Sequence, residues 1–212
     1  MAGTDDAVCA LEYVLNADPG TTGSWYSTAG VSFAPAAADP QATATAGAPG
    51  SHELFWVASN NGCTDTASVV IDFNLANDSA YAGPDQLVEV TFDIALNALT
   101  PQYGTGLWTV ETGSGFVADD DLPQTEVNGL NEGENILRWT IENGACPVLW
   151  DEVTILVTPF AIPTGFSPNG DGINDLFEVQ HSCEIDEFVL QIYDESEQLI
   201  HESSDIDQYW DG

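Results

Sequence analysis

The chain has 212 residues, with 35 acidic side chains against a single basic one, for a formal net charge of −34. Nucleic-acid phosphates and anionic lipid headgroups both need cations at a binding surface, so these two partner classes are excluded. With 43% hydrophobic and 10% aromatic residues the chain can still bury packed cores, so it is not a disordered acidic tail. Its apolar runs are short and bounded by Gly, Asn, Asp and Thr, the pattern of an all-β protein. None approaches membrane-spanning length. The opening MAGTDD lacks the charged and apolar regions of a signal peptide, as expected of a mature form or of an excised piece with an added Met. The acidity has three readings: a salty or calcium-rich extracellular medium, removal of tryptic sites other than Arg138, or a merely soluble surface.

Two copies of one module come first. Trp25 and Trp108, Pro40 and Pro123, Trp56 and Trp139, Asn60 and Asn143, and Cys63 and Cys146 are each 83 residues apart. Upstream, Leu15-Asn16-Ala17 matches Leu96-Asn97-Ala98 at 81, which fits a two-residue insertion before the second tryptophan. Residues 1–76 and 77–158 are therefore expected to be two domains, with 159–212 a third, shorter one. Cys9, Leu11, Tyr13 and Leu15 alternate with other residues, as do Val90, Phe92, Ile94 and Leu96, each run predicting a half-buried strand. ELFWVAS, Asn-Asn-Gly and TASVVIDF read as a hairpin, and NILRWTI, Glu-Asn-Gly and DEVTILV as its counterpart. Such modules of about 80 residues predict tandem antiparallel β-sandwiches. The AGPDQ opening of the second copy and the Asn-Gly-x-Cys turns resemble immunoglobulin-like and PKD-like repeats of bacterial surface proteins. The antibody pattern fits poorly, because Cys63 lies at a turn with no tyrosine two residues before it.

Aromatic platforms can stack on sugars, but Trp25, Trp56, Trp108 and Trp139 recur in register, which favours core. Trp150 and Trp210 are less constrained. Of the four cysteines, Cys9 and Cys63 make a natural pair within the first module. Val90 stands where the second module would carry its Cys9, so Cys146 is expected to pair with Cys183. This economical choice among three connectivities implies an oxidising, extracytoplasmic location. Zinc finds no C-x-x-C, and His52, His181 and His201 fall at no ligand spacing with the cysteines.

From Thr158 the chain carries FSPNGDGINDLFEV, then Gln191-Ile192-Tyr193, then Trp210-Asp211-Gly212. These residues resemble the gliding-motility-associated C-terminal domain of Bacteroidota, the type B sorting domain of the type IX secretion system. The resemblance implies a secreted protein, carried across the outer membrane by that machinery and either held at the cell surface or released. The upstream repeats would then be stalk or adhesive modules. Family members continue past W-D-G, which leaves two expectations here: a fragment, or a third domain completed by a strand from an identical subunit in a fibre.

The signature loop has two readings of its own. Ser167, Asn169, Asp171, Asp175 and Glu178 occupy places 1, 3, 5, 9 and 12 of a calcium loop, with Gly172 sixth. The same residues can instead form a turn whose Asn and Asp cap their own backbone. The Asp119-Asp120-Asp121 run reads as a solvated tip. No nucleophile motif or phosphate-cradling glycine loop is present, and no cofactor beyond calcium is called for, so the expected protein is a non-catalytic surface module. The alternative is a carbohydrate- or ice-binding module, or the accessory stalk of a larger secreted enzyme.

Overall fold

The computed structural model describes residues 1–212 apart from Thr21, Ala29, Asn61, Gly62 and the side chain of Asn60. The described secondary structure is all β. In the first repeat the strands are β1 (Asp6–Val8), β2 (Glu12–Val14), β3 (Gly23–Ser27), β4 (Val31–Ala34), β5 (Thr43–Ala46), β6 (Gly50–Asn60) and β7 (Cys63–Phe73). They form one sheet in the order β1-β7-β6-β3 and a facing one in the order β2-β5-β4. In the second repeat they are β8 (Gln86–Glu89), β9 (Ile94–Asn97), β10 (Thr105–Thr112), β11 (Phe116–Val117), β12 (Gln124–Asn128), β13 (Gly133–Glu142) and β14 (Leu149–Thr158). The order β8-β14-β13-β10 over β11-β12-β9 repeats the first topology strand for strand.

Period-two patterning explains the inner faces. Val69, Ile71 and Phe73 of β7 are buried, and so are Val153, Ile155 and Val157 of β14. All four in-register tryptophans are core. Trp25 lies directly across from Trp56 with ring centroids 5.3 Å apart, and Trp108 across from Trp139 at 5.2 Å.

Two local expectations are corrected. The run from Cys9 to Leu15 is not one strand: it starts just past β1, which pairs in parallel with β7, and only its Glu12–Val14 part is β2, on the other sheet. The run from Val90 to Leu96 breaks in the same way, with Val90 at φ 63° between β8 and β9. Alternation survives such a crossing because both halves still face one core. The second hairpin is also longer than Glu-Asn-Gly, since residues 143–148 connect β13 to β14.

The C-terminal part is thinner. β15 (Phe160–Ala161) pairs with β16 (Gln180–His181), and β17 (Leu190–Tyr193) pairs with β18 (Leu199–Ser203). From Phe160 onward Val179 and Ser203 are the buried residues.

Candidate functional site

The signature loop folds on itself around one carboxylate. Asp175 Oδ1 accepts the N–H groups of Asn169 (3.1 Å) and Gly170 (2.7 Å), and its Oδ2 accepts that of Gly172 (2.7 Å). Asn169 Oδ1 accepts the Asp171 N–H at 2.9 Å, and Asp171 Oδ1 accepts that of Ile173 at 2.8 Å. Gly170 (φ 74°) and Gly172 (φ 84°) supply the left-handed backbone that lets these donors converge. The Gly172 N–H first, and then that of Gly170, hold the Asp175 carboxyl below the usual carboxylate range.

Of the five residues that match calcium-ligand places, Asn169, Asp171 and Asp175 share this turn. Ser167 Oγ donates to the Ile173 carbonyl at 3.5 Å. Glu178 stands outside, beside Tyr209, whose phenol its charge pushes up. Among the described residues no group of three or more His, Cys, Asp or Glu is placed to hold a metal.

The turn carries a prediction with a definite sign. A carboxyl lowered on folding stabilises above its unfolded value, near 4, and the contribution is lost as pH falls through the folded value. Asp175→Asn should therefore lower the melting temperature at pH 7 and flatten its fall below about pH 4. Calcium or chelator should leave that melting unchanged; a calcium shift abolished by Asp171→Ala would make the loop a metal site.

The loop meets the last motif through aromatic rings. Phe166 packs on Trp210 with centroids 5.1 Å apart and edge-on to Phe177 at 5.9 Å. The Phe177 N–H donates to the Trp210 carbonyl at 2.8 Å, and Trp210 N–H donates back at 3.3 Å. Gln191-Ile192-Tyr193 lies in β17. A contact with no signal in the sequence is that of His181 with the Cys183 carbonyl (2.9 Å) and Asp207 (3.4 Å), which together raise the imidazole pKa. The Asp119-Asp120-Asp121 tip is exposed, and its backbone serves the core: Asp120 O accepts the Trp108 N–H at 2.8 Å.

The cysteines form a joint between the sandwiches. Cys9 is bonded to Cys146 with Cα atoms 4.7 Å apart, while Cys63 and Cys183 are exposed free thiols. The expected pairs Cys9–Cys63 and Cys146–Cys183 are thus replaced. The reason is topological: β1 runs parallel to the final residues of β7, so Cys9 emerges past Phe73. Cys63 begins that 11-residue strand, roughly 33 Å away at 3.3 Å per residue. What lies beside Cys9 is the 143–148 turn of the next sandwich. Asn143 Nδ2 donates to the Leu75 carbonyl at 2.7 Å there. Asn77 Oδ1 accepts the Gln102 and Tyr103 N–H groups at 2.9 and 3.0 Å, and its Nδ2 donates to Tyr103 O at 2.8 Å. The linker is therefore clamped on both sides.

Residues 160–212, which hold the loop, β17 and the Trp210 cluster, match the CHU_C Type IX secretion signal domain family. This segment is a type IX secretion signal domain. The signal directs the chain to export, to the cell surface or the extracellular medium, and implies engagement by the type IX machinery. No helix among the described residues is long and apolar enough to cross a membrane.

The sandwiches upstream of the type IX signal are similar to extracellular domains 3–5 of Drosophila OTK. The identity is 12% with a TM-score of 0.50, over 74% of this chain and 59% of that one. The N-terminal four Ig domains of Dscam1 isoform 6.9 match at 12% identity and TM-score 0.46, over 73% of this chain and 43% of that one. The PKD domain from KIAA 1837 protein matches at 18% identity and TM-score 0.35, over 39% of this chain and 88% of that one. The chain thus spans less than two thirds of the OTK and Dscam1 chains, and at such identity the likeness is one of fold. No curated protein sequence matches. A type IX signal behind two β-sandwiches fits a secreted surface protein.

Proposed function

We propose that the chain is a non-catalytic surface spacer with adhesive or fibre-forming work, whose sandwiches are held in tandem by the Cys9–Cys146 bond and exported through the type IX signal. The observation that carries this reading is the clamped joint: a disulfide and four linker hydrogen bonds unite two otherwise separate cores. Force or shear at a cell surface would then pass through covalent and hydrogen-bonded links instead of a free hinge. The four repeated tryptophans are occupied in the cores, which disfavours the sugar-platform alternative for those residues.

The fibre reading draws on the C-terminal sheet. β17 and β18 pair only with each other among the described residues, and Val189, Tyr193 and Ile200 are at least half exposed nearby. An added strand from an identical subunit would cover both the open edge and those side chains.

One set of experiments tests both levels. Antibody labelling of intact cells in a type IX-secreting host should detect the full chain and lose it when residues 160–212 are deleted. Gel filtration and electron microscopy of the exported chain should then show ordered multimers. A folded monomer at high concentration would sink the strand-addition reading while leaving export intact.

A further inference from the structure

The joint just described has a second half-built copy on the first sandwich. In the second sandwich the seat consists of the loop before β10 and the tip of the β13–β14 hairpin. It receives residues 74–77 and bonds Cys9 through Cys146. In the first sandwich Thr22, Gly23, Ser59, Asn60 and Cys63 stand 83 residues before Thr105, Gly106, Glu142, Asn143 and Cys146. Thr22 Oγ1 donates to the Ser59 carbonyl at 2.8 Å, tying loop to hairpin. Between them lies an open groove of about 490 Å³, lined by Gly20, Thr22, Ala58, Ser59, Cys63 and Thr64 among others, with Cys63 an exposed thiol.

The donor side of the joint is also informative. Cys9 is present on the sandwich that another sandwich follows. Val90 takes its place on the sandwich followed by the type IX signal. A donor cysteine thus accompanies a following sandwich, and an acceptor cysteine at the hairpin tip accompanies a preceding one. Cys146 satisfies that rule through Cys9, while Cys63 carries the acceptor with its thiol free.

The register extends to the segment that would fill the groove. Ala2 and Ala82 are both buried, and a Cβ added at Gly3 (φ 101°) or at Gly83 (φ 102°) would lie 3.4 or 3.1 Å from a carbonyl oxygen, that of Asn16 or of Asn97. Residues standing to Ala2 as Asn74–Asn77 stand to Ala82 would therefore precede Met1 in register.

We propose that the Cys63 groove is the acceptor site for another β-sandwich of this repeat type, whose thiol at the end of its first strand bonds Cys63 as Cys9 bonds Cys146. The two thiols give up two protons and two electrons to a disulfide oxidant, such as oxidised glutathione. The oxidant leaves as two thiols, and one new S–S bond forms by successive exchange. The occupant is specified by the joint already present: a sandwich ending in an Asn-bearing linker, with a cysteine just beyond its first strand.

The test places such a sandwich ahead of the whole chain by duplicating residues 1–80 before Met1. The protein is folded in a glutathione redox buffer, labelled with maleimide without reductant, and mapped by mass spectrometry after cleavage at acidic residues. The expected result is loss of labelling at Cys63, a cross-linked peptide joining it to the added copy's counterpart of Cys9, and full labelling of the added copy's own tip cysteine. Serine at the added donor position should restore labelling of Cys63. A Cys63 that stays labelled, or that bonds a second molecule instead, overturns the proposal when the same digest contains the Cys9–Cys146 peptide. That peptide shows that a joint of this kind formed under the same conditions.

Discussion

Unfolded and unreduced, with its free thiols alkylated, the protein should survive trypsin as a single linked species and separate into two fragments only on adding reductant. The chain has one basic residue, Arg138, so cleavage yields residues 1–138 and 139–212. The Cys9–Cys146 bond spans the cut. Had the cysteines paired as Cys9–Cys63 and Cys146–Cys183, each bond would lie inside one fragment and the pieces would part without reductant. The two connectivities therefore give opposite gels. Before unfolding, the native chain should resist trypsin, because Arg138 sits mid-strand, paired to Thr109 on one side and to Glu152 on the other. Its guanidinium is engaged as well: Nε and one terminal nitrogen donate to Glu152 Oε1 at 3.1 and 2.7 Å, the other terminal nitrogen lies 3.2 Å from Glu111, and Trp150 lies 4.7 Å below. Rapid native cleavage would contradict this strand assignment.

The failed pairing shows where sequence reasoning stopped. Repeat register located the tryptophans, the hairpins and the equivalence of Cys63 with Cys146, because each follows from spacing along one module. It gave no view of which end of a sandwich meets the next. That depends on β1 running parallel to β7, which brings Val8 and Phe73, 65 apart in sequence, to one end of the sheet. The useful signal was present in Val90: loss of the donor cysteine in the second copy alone points to a bond between copies. Periodicity likewise could not separate one strand from two, since Val8, Leu11, Tyr13 and Leu15 pack on one core on both sides of a sheet crossing. The signature loop was legible because it is local. Its three N–H groups and the accepting Asp175 lie within seven residues, so turn chemistry and motif coincide. The packing of Phe166 on Trp210 was not legible, because it joins motifs far apart in sequence.

Trp139→Ala should destabilise the second sandwich by about 3–5 kcal/mol, and Trp56→Ala the first by a similar amount, in denaturant titrations followed by circular dichroism. Both rings are at most 1% exposed, and each crosses to a second tryptophan. The opposing strand has been cleared to fit them. A Cβ on Gly23 would come within 2.6 Å of the Trp56 ring, and one on Gly106 would run into that of Trp139. Gly106→Ala should therefore cost about 1–3 kcal/mol by overpacking, although the added methyl is small and apolar. Among the described residues Trp139 Nε1 has no hydrogen-bond partner, so Trp139→Phe should cost much less than Trp139→Ala. Trp150 is 58% exposed and meets Arg138 at the surface, so Trp150→Ala should stay within about 1 kcal/mol. The contrast discriminates between two reasons for repeating a tryptophan. If the residues repeat to fill equivalent cores, Trp56 and Trp139 must be large and alike, with Trp150 small. A large loss at Trp150 with little change at Trp139 would mean that the repeated rings are kept for something other than packing.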